Sequence, residues 1–205
     1  MVKSLGKKSD LVRQVIWHDF YAQLMNYLPP KKTLGGGNFQ NRKVRWNRNY
    51  SFLKRWKEGN TGYPIVDAGM RQLNQTGWMH NRVRLITSNF LSIILGINWK
   101  EGEKYFAQHL VDYDPSSNNG NWQWSAQVGT DKVPYLRVYN PLKQAFDIDP
   151  TTEYIRRWVP ELSSLSDDEI LEWNKVDISS KIDYPKPMVD FSTSYRKAKL
   201  RFKRR

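Results

Sequence analysis

Arg82-Val83-Arg84-Leu85-Ile86-Thr87-Ser88-Asn89-Phe90-Leu91-Ser92-Ile93-Ile94-Leu95 is apolar almost all round when wound as a helix. Such a helix belongs at the centre of a fold, with other elements packed around it. Its most apolar part, Phe90-Leu91-Ser92-Ile93-Ile94-Leu95-Gly96-Ile97, falls far short of the roughly 18 residues of a membrane span. The flanking segments supply amphipathic partners. Upstream, Pro64 suits a helix first turn, Val66, Met70 and Leu73 share one side, and Gly77 suits a C-terminal cap. Downstream, residues 101–111 place Tyr105, Phe106 and Leu110 on one side.

Farther out, Ser9 or Asp10 can cap a first helix. Its apolar positions Val12, Val15, Ile16, Phe20, Leu24 and Tyr27 keep a period of about 3.6 until Pro29-Pro30 stops it. Residues 31–50, with Gly35-Gly36-Gly37 and many cations, read as a loop, and residues 51–57 as a short helix. From Asp112 to Asp149 periodicity fails, which predicts a long functional loop. Helices resume over 153–158 and 167–173, the latter opened by the capping box Ser166-x-x-Glu169. No internal repeat and no strand alternation stands out. The expectation is an all-α domain over residues 1–190, followed by a basic tail, 191–205, of which residues 196–205 stay partly disordered when free. Three readings of that tail stay open: a nuclear-import signal, an arm that grips DNA, or a solvated terminus.

The chain has 205 residues, a formal net charge of +13 and a pI near 9.8. That balance favours an anionic partner, nucleic acid or an acidic membrane surface, and the absence of a spanning run argues against insertion. Residues 1–8 lack the apolar stretch of a secretory signal, and the absence of cysteine excludes disulfides, thiolate metal sites and cysteine catalysis. An intracellular location, cytoplasmic or nuclear, is the expectation. His18, His80 and His109 lie far apart in sequence, so no metal site is expected. Nine Trp and eleven Tyr exceed ordinary core needs, and interleaved with Lys and Arg they suit a surface that stacks bases and neutralises phosphates.

Two runs concentrate the chemistry: Gly77-Trp78-Met79-His80-Asn81-Arg82-Val83-Arg84, and Leu110-Val111-Asp112-Tyr113-Asp114 leading to Asn118-Asn119-Gly120-Asn121-Trp122-Gln123-Trp124. Tryptophans beside amides, arginines and carboxylates suit a pocket for a flat ligand with polar edges. Asp112-x-Asp114 could be a metal pair, a general acid and base, or loop caps. Arg84 on the neighbouring buried helix needs a carboxylate partner. Trp56, Trp158 and Trp173 read as core.

These runs, together with Val15-Ile16-Trp17-His18-Asp19-Phe20-Tyr21, Gly59-Asn60-Thr61-Gly62-Tyr63-Pro64-Ile65-Val66-Asp67-Ala68 and Tyr154-Ile155-Arg156-Arg157-Trp158-Val159-Pro160-Glu161-Leu162, resemble the helical FAD-binding part of the DNA photolyase and cryptochrome family. The resemblance covers most of the chain. It implies FAD as cofactor, with Asp112, Tyr113, Asp114, Asn118, Arg84 and Asn81 around it, Arg84 bonding the first aspartate and Asn118 facing the reactive flavin nitrogen. It also implies that Trp122, Trp99 and Trp46 form an electron-transfer chain, with Trp122 nearest the flavin and Trp46 nearest solvent. For DNA it implies a face of Gln14, Trp17, Tyr21, Asn81, Arg82, Trp124, Arg137 and Lys143, with Trp17 and Trp124 flanking a lesion flipped out of the stack.

Three departures bear on function. Complete relatives carry an α/β antenna domain and a Ser/Thr-rich loop that clamps the FAD phosphates, and these 205 residues match neither. FAD is therefore expected to bind weakly or not at all to this chain alone. Either a complementary polypeptide completes the site, or the chain is a relic of gene breakage. Gln14 stands where repair enzymes for pyrimidine dimers have glutamate, and Leu85 where they usually have methionine. The expected function is light-driven electron transfer from FAD to pyrimidine dimers, a carbon–carbon lyase reaction, with the chain inactive alone. The rivals are a photosensor without repair and a flavin-free helical DNA-binding protein.

Overall fold

The computed structural model describes residues 9–33, 38–40, 43–130, 133, 135–173 and 182–203. Among them there are helices and no strands, so the all-α expectation holds. No helix among them is long and apolar enough to cross a membrane.

The predicted centre is where the sequence puts it. Helix α1 (Asp10–Tyr27), α2 (Tyr50–Lys57), α3 (Pro64–Thr76) and α4 (Asn81–Asn89) come first in chain order. The π-helical turn Phe90–Ile94 continues α4. Every residue from Ile86 to Ile97 is buried, as expected of a helix apolar on all sides. On α3, nine residues are buried, and Gly77 closes it at φ +69°, where its N–H donates to the Leu73 carbonyl at 2.8 Å. The buried Asp67 carboxylate accepts from the Thr61 amide at 2.7 Å, the Thr61 hydroxyl at 2.6 Å, the Gly62 amide at 3.0 Å and the Tyr184 hydroxyl at 2.6 Å. One carboxylate thus ties the turn before α3 to a segment more than a hundred residues away.

Helix α5 (Trp99–His109) starts two residues earlier than periodicity suggests, because Asn98 caps it by accepting from the Lys100 amide. The long loop expected between Asp112 and Asp149 is corrected. It contains α6 (Pro115–Ser125) and α7 (Pro141–Ile148), each with proline in its first turn and an Asp114 or Asn140 cap. Helix α6 escapes periodicity because its buried side is polar: the Asn119 and Gln123 amides donate to the carbonyls of Thr33 and Lys32. The expected helices at 153–158 and 167–173 are α8 (Glu153–Trp158) and a shorter α9 (Asp167–Leu171), opened by the Ser166–Glu169 capping box.

The disorder expected over residues 196–205 is corrected as far as Phe202, and residues 204 and 205 lie outside those described. Helix α10 (Phe191–Phe202) is capped by Asp190, and Ser194, Ala198 and Phe202 recur every fourth residue as its buried row. Ala198 and Phe202 pack on Ile93, and Arg201 donates to the Ile93 carbonyl at 3.1 Å. The dense cations conceal that row in the sequence.

The first helix departs most from its reading. Of the apolar positions assigned to its inner side only Val12 is buried, while Ile16 and Tyr27 are 59% and 81% exposed. Ser9 occupies the cap position without a side-chain cap bond. The period marks an apolar stripe correctly, but no described residue covers most of it. What fixes α1 is Tyr21, 3% exposed, whose ring lies on Gly120 of α6, where a Cβ would sit 2.1 Å from it.

Candidate functional site

The fold brings the two chemical runs together at one cleft. Asn81, Arg84 and Leu85 come from α4, Phe106 and Leu110 from α5 and the residue after it, and Asp112 to Asp114 from the turn that leads into α6. Ser117, Asn118 and Trp122 on α6 complete the lining. Arg84 Nη2 donates to both carboxylate oxygens of Asp112, at 3.0 and 2.8 Å, while its Nε donates to the Met79 carbonyl at 2.7 Å. The guanidinium is thereby aimed from two sides.

Asp114 has a different role from Asp112. Its Oδ1 caps α6 by accepting from the Ser117 amide at 2.7 Å and also accepts from the Ser116 hydroxyl at 2.6 Å. Burial pushes this carboxyl up, but the bonds from Ser116 and Ser117, with the charge of His18, outweigh it and hold it below its ordinary value. The two aspartates are therefore an ion-pair partner and a helix cap, facing different groups.

Asn118 points to a residue that sequence reasoning missed. Its Nδ2 donates to the Glu103 carboxylate at 3.0 Å and to the Glu103 carbonyl at 3.1 Å. With both amide protons committed, the group left for the cleft is the Oδ1 acceptor. Burial raises the Glu103 carboxyl, and the Asn118 bond partly opposes this. A signal was available: Glu103 sits three residues before Phe106 and seven before Leu110, an acid in line with the apolar side of α5. Burial likewise raises the nearby Tyr113 phenol, helped by the charges of Glu103 and Asp114.

The three candidate electron-transfer tryptophans occupy linked places. Trp122 is buried in the cleft wall, edge-on to Phe106 at 4.9 Å, and its ring fills the space where a Cβ on Gly102 would lie. Trp99 is buried at the start of α5, one helical turn before Gly102. Trp46 is half-buried, packs edge-on against Phe202 at 6.0 Å, and precedes Asn47, which forms an isolated parallel bridge with Ile97. The Asn47 amide donates to the Gly96 carbonyl at 2.7 Å, holding that segment just ahead of Trp99. Trp56, read as core, is fully buried as expected and also meets the Trp122 ring at 6.1 Å. Trp173 is buried too, whereas Trp158 is half-buried with the Arg157 guanidinium over its ring at 5.4 Å.

The candidate DNA residues form several patches. Gln14, Trp17 and Tyr21 follow one another along α1. Gln14 is exposed, and Trp17, 46% exposed, stacks on Tyr21 with ring centroids 5.8 Å apart. Tyr21 itself is corrected from a surface contact to a buried backing for Trp17. Trp124 is half-buried with the Arg137 guanidinium 4.3 Å above its ring. Asn81 and Arg82 are exposed at the start of α4, where His80 Nδ1 accepts from the Arg82 amide, and Lys143 is exposed on α7.

Known proteins are similar to this chain in sequence and fold. Residues 11–204 match the family model described as the FAD binding domain of DNA photolyase. A deoxyribodipyrimidine photo-lyase of Buchnera aphidicola is 45% identical over 193 residues, 93% of this chain and 40% of the relative. An archaeal photolyase of Sulfolobus tokodaii, solved with two FAD molecules, superposes with a TM-score of 0.88 at 40% identity, covering 96% of this chain and 45% of that one. A Synechocystis cryptochrome superposes with a TM-score of 0.87 at 35% identity, covering 93% and 41%. The chain spans about two fifths of the length of the curated relatives it matches. On this match over nearly its whole length, with the helical fold shared, the chain belongs to the DNA photolyase and cryptochrome family, as an FAD-binding domain from its C-terminal part.

Proposed function

We propose that this chain supplies one wall of a flavin site and the adjoining DNA face of a light-driven DNA-repair lyase. The single observation that carries the reading is the aimed Arg84–Asp112 pair opposite the Asn118 amide, whose free acceptor fits a ring that presents N–H donors. Reduced flavin, when bound and excited, supplies the electron that splits a pyrimidine dimer. The residues of this chain orient the ring, keep water from it and face the lesion. Trp122, Trp99 and Trp46 pass electrons inward from the surface, because indole is readily oxidised and the three are held on packed elements. Trp17 and Trp124 stack on the flipped bases, and Arg82, Arg137 and Lys143 hold phosphates.

Two observations support an incomplete flavin site. The cleft encloses about 90 Å³, below the roughly 300–1,000 Å³ of ordinary ligand pockets. The stripe of α1 beside it stays open, with Ile16 and Trp17 exposed. Further contacts to FAD, its phosphates above all, then come from a segment outside these residues, on the same or a second polypeptide. Alone, the chain holds FAD weakly and purifies nearly colourless.

The test adds a polypeptide carrying the rest of a photolyase. Flavin absorbance retained after dialysis and light-dependent splitting of a thymine-dimer oligonucleotide are then measured. Retention with repair supports the proposal. Retention without repair supports a photosensor, the reading that Gln14 in place of glutamate favours. Flavin retained by no combination overturns both and leaves a DNA-binding domain, while dialysis-resistant FAD in the chain alone overturns the incomplete site.

A further inference from the structure

A second cavity lies away from the flavin cleft, at the solvent end of the tryptophan series. It has a volume of about 630 Å³, inside the range of ordinary ligand clefts, and its lining includes Arg45, Trp46, Arg48, Tyr50, Asn98 and Glu101. The Trp46 ring is half-buried there and Tyr50 is largely exposed, so the cavity offers aromatic faces to a planar molecule. Its amides are engaged in the fold. Asn49 and Asn98 cap α2 and α5, and Asn47 donates to the Leu95 carbonyl while accepting from the Asn49 amide. Arg45 and Arg48 are exposed and have no ion-pair or hydrogen-bond partner among the described residues. Glu101 is the one acid in the lining, so the cavity carries a positive excess.

We propose that this cavity binds a planar heteroaromatic reductant bearing a phosphate, the chemistry shared by reduced flavin mononucleotide and reduced nicotinamide dinucleotides. The inference rests on the proposed flavin reading, because it gives Trp46 a reason to need an electron. Trp46, having passed one electron inward, is a one-electron-deficient indole. A donor stacked on it returns one electron, restores the neutral indole and leaves in its one-electron-oxidised form. Arg45 and Arg48 take the phosphate by charge-assisted bonds, which hold the donor against the ring long enough to react between light events.

Binding is measured first, without FAD in the chain, by fluorescence titration with flavin mononucleotide and, separately, with NADPH, each challenged by inorganic phosphate. Saturable binding is expected, with about tenfold loss of affinity in Arg45→Glu or Arg48→Glu, the loss of one charge-assisted bond. Both arginines are exposed, so unchanged circular dichroism and thermal melting are the fold control. The better-bound probe identifies the source. No saturable binding, or affinity within twofold of the original in both variants for both probes, overturns the proposal. In the flavin-completed protein, the photoreduction rate should saturate with the better-bound donor and lose saturation in Arg45→Glu. A rate linear in donor in the unaltered protein overturns the reductant role. A small neutral thiol separates the two readings: no photoreduction with thiol marks failure of the flavin reading, whereas thiol-driven photoreduction without the arginine dependence marks failure of this one.

Discussion

Arg84 meets Asp112 through a single nitrogen that bridges both carboxylate oxygens, and its Nε is anchored independently on the Met79 carbonyl. The Met79 anchor fixes where the charge points even before a ligand arrives, so the pair is preorganised. Arg84→Leu should lower FAD affinity in the completed protein by about tenfold or more, since one charge-assisted bond contributes about 1.5–3 kcal/mol. Equilibrium fluorescence titration of FAD checks it. An unchanged dissociation constant would remove Arg84 from the site.

Glu103 gives a pH signature. Burial raises its carboxyl in the folded chain, so folding favours the protonated form. Its contribution to stability is therefore fully present below the unfolded carboxyl range and is lost as pH rises through the raised folded value. Glu103→Gln removes that titration. The variant should gain in melting temperature over the original at pH 8 relative to pH 4. A constant difference across that interval would show that Glu103 does not titrate abnormally.

Gly120 and Tyr21 should be coupled. A Cβ at Gly120 falls 2.1 Å from the Tyr21 ring, so Gly120→Ala must push α1 off α6 at a cost of about 1–3 kcal/mol. In a Tyr21→Ala background the same change should cost far less. A double-mutant cycle by urea denaturation measures the difference. Additive costs would mean that α1 is held by other contacts.

Gln14 bears on the proposed chemistry. In the completed protein, repair should be inefficient and Gln14→Glu should raise the yield per absorbed photon. A protonated carboxyl bonds more strongly than a carboxamide to a base gaining negative charge, and one charge-assisted bond contributes about 1.5–3 kcal/mol in all. Leu85→Met should help less, since it adds polarisability without charge stabilisation. The quantum yield on a defined thymine-dimer oligonucleotide decides it: equal yields for Gln14 and Gln14→Glu would clear this position as a bottleneck.

How much could be read beforehand depended on what held each element. The Arg82–Leu95 core, the Pro64 start and Gly77 end of α3 and the Ser166–Glu169 box were legible, because burial on all sides, fixed backbone angles and capping act locally. Helix α6 was not, because Asn119 and Gln123 bury amides whose partners, Thr33 and Lys32, lie more than eighty residues away. Helix α10 was hidden because Ala198 and Phe202 are outnumbered by cations, of which Arg196, Lys197 and Lys199 are exposed. Within the cleft, the Arg84–Asp112 pair was legible from the family resemblance, and a guanidinium only part-exposed has need of a carboxylate. Glu103 was legible only as an acid in line with the apolar side of α5, since its partner Asn118 is on another helix.

The open side of α1 has a practical consequence for the chain in a test tube. Leu11, Ile16, Trp17 and Tyr27 are exposed on one helix of a molecule whose net charge is +13. At low ionic strength, mutual repulsion keeps copies apart. Added salt shortens the screening length to about 10 Å at 0.1 M, while the tendency of greasy surface to leave water remains. Colloidal stability should therefore fall as salt rises, so the high-salt washes used to strip nucleic acid from a basic protein are the conditions under which this one clumps.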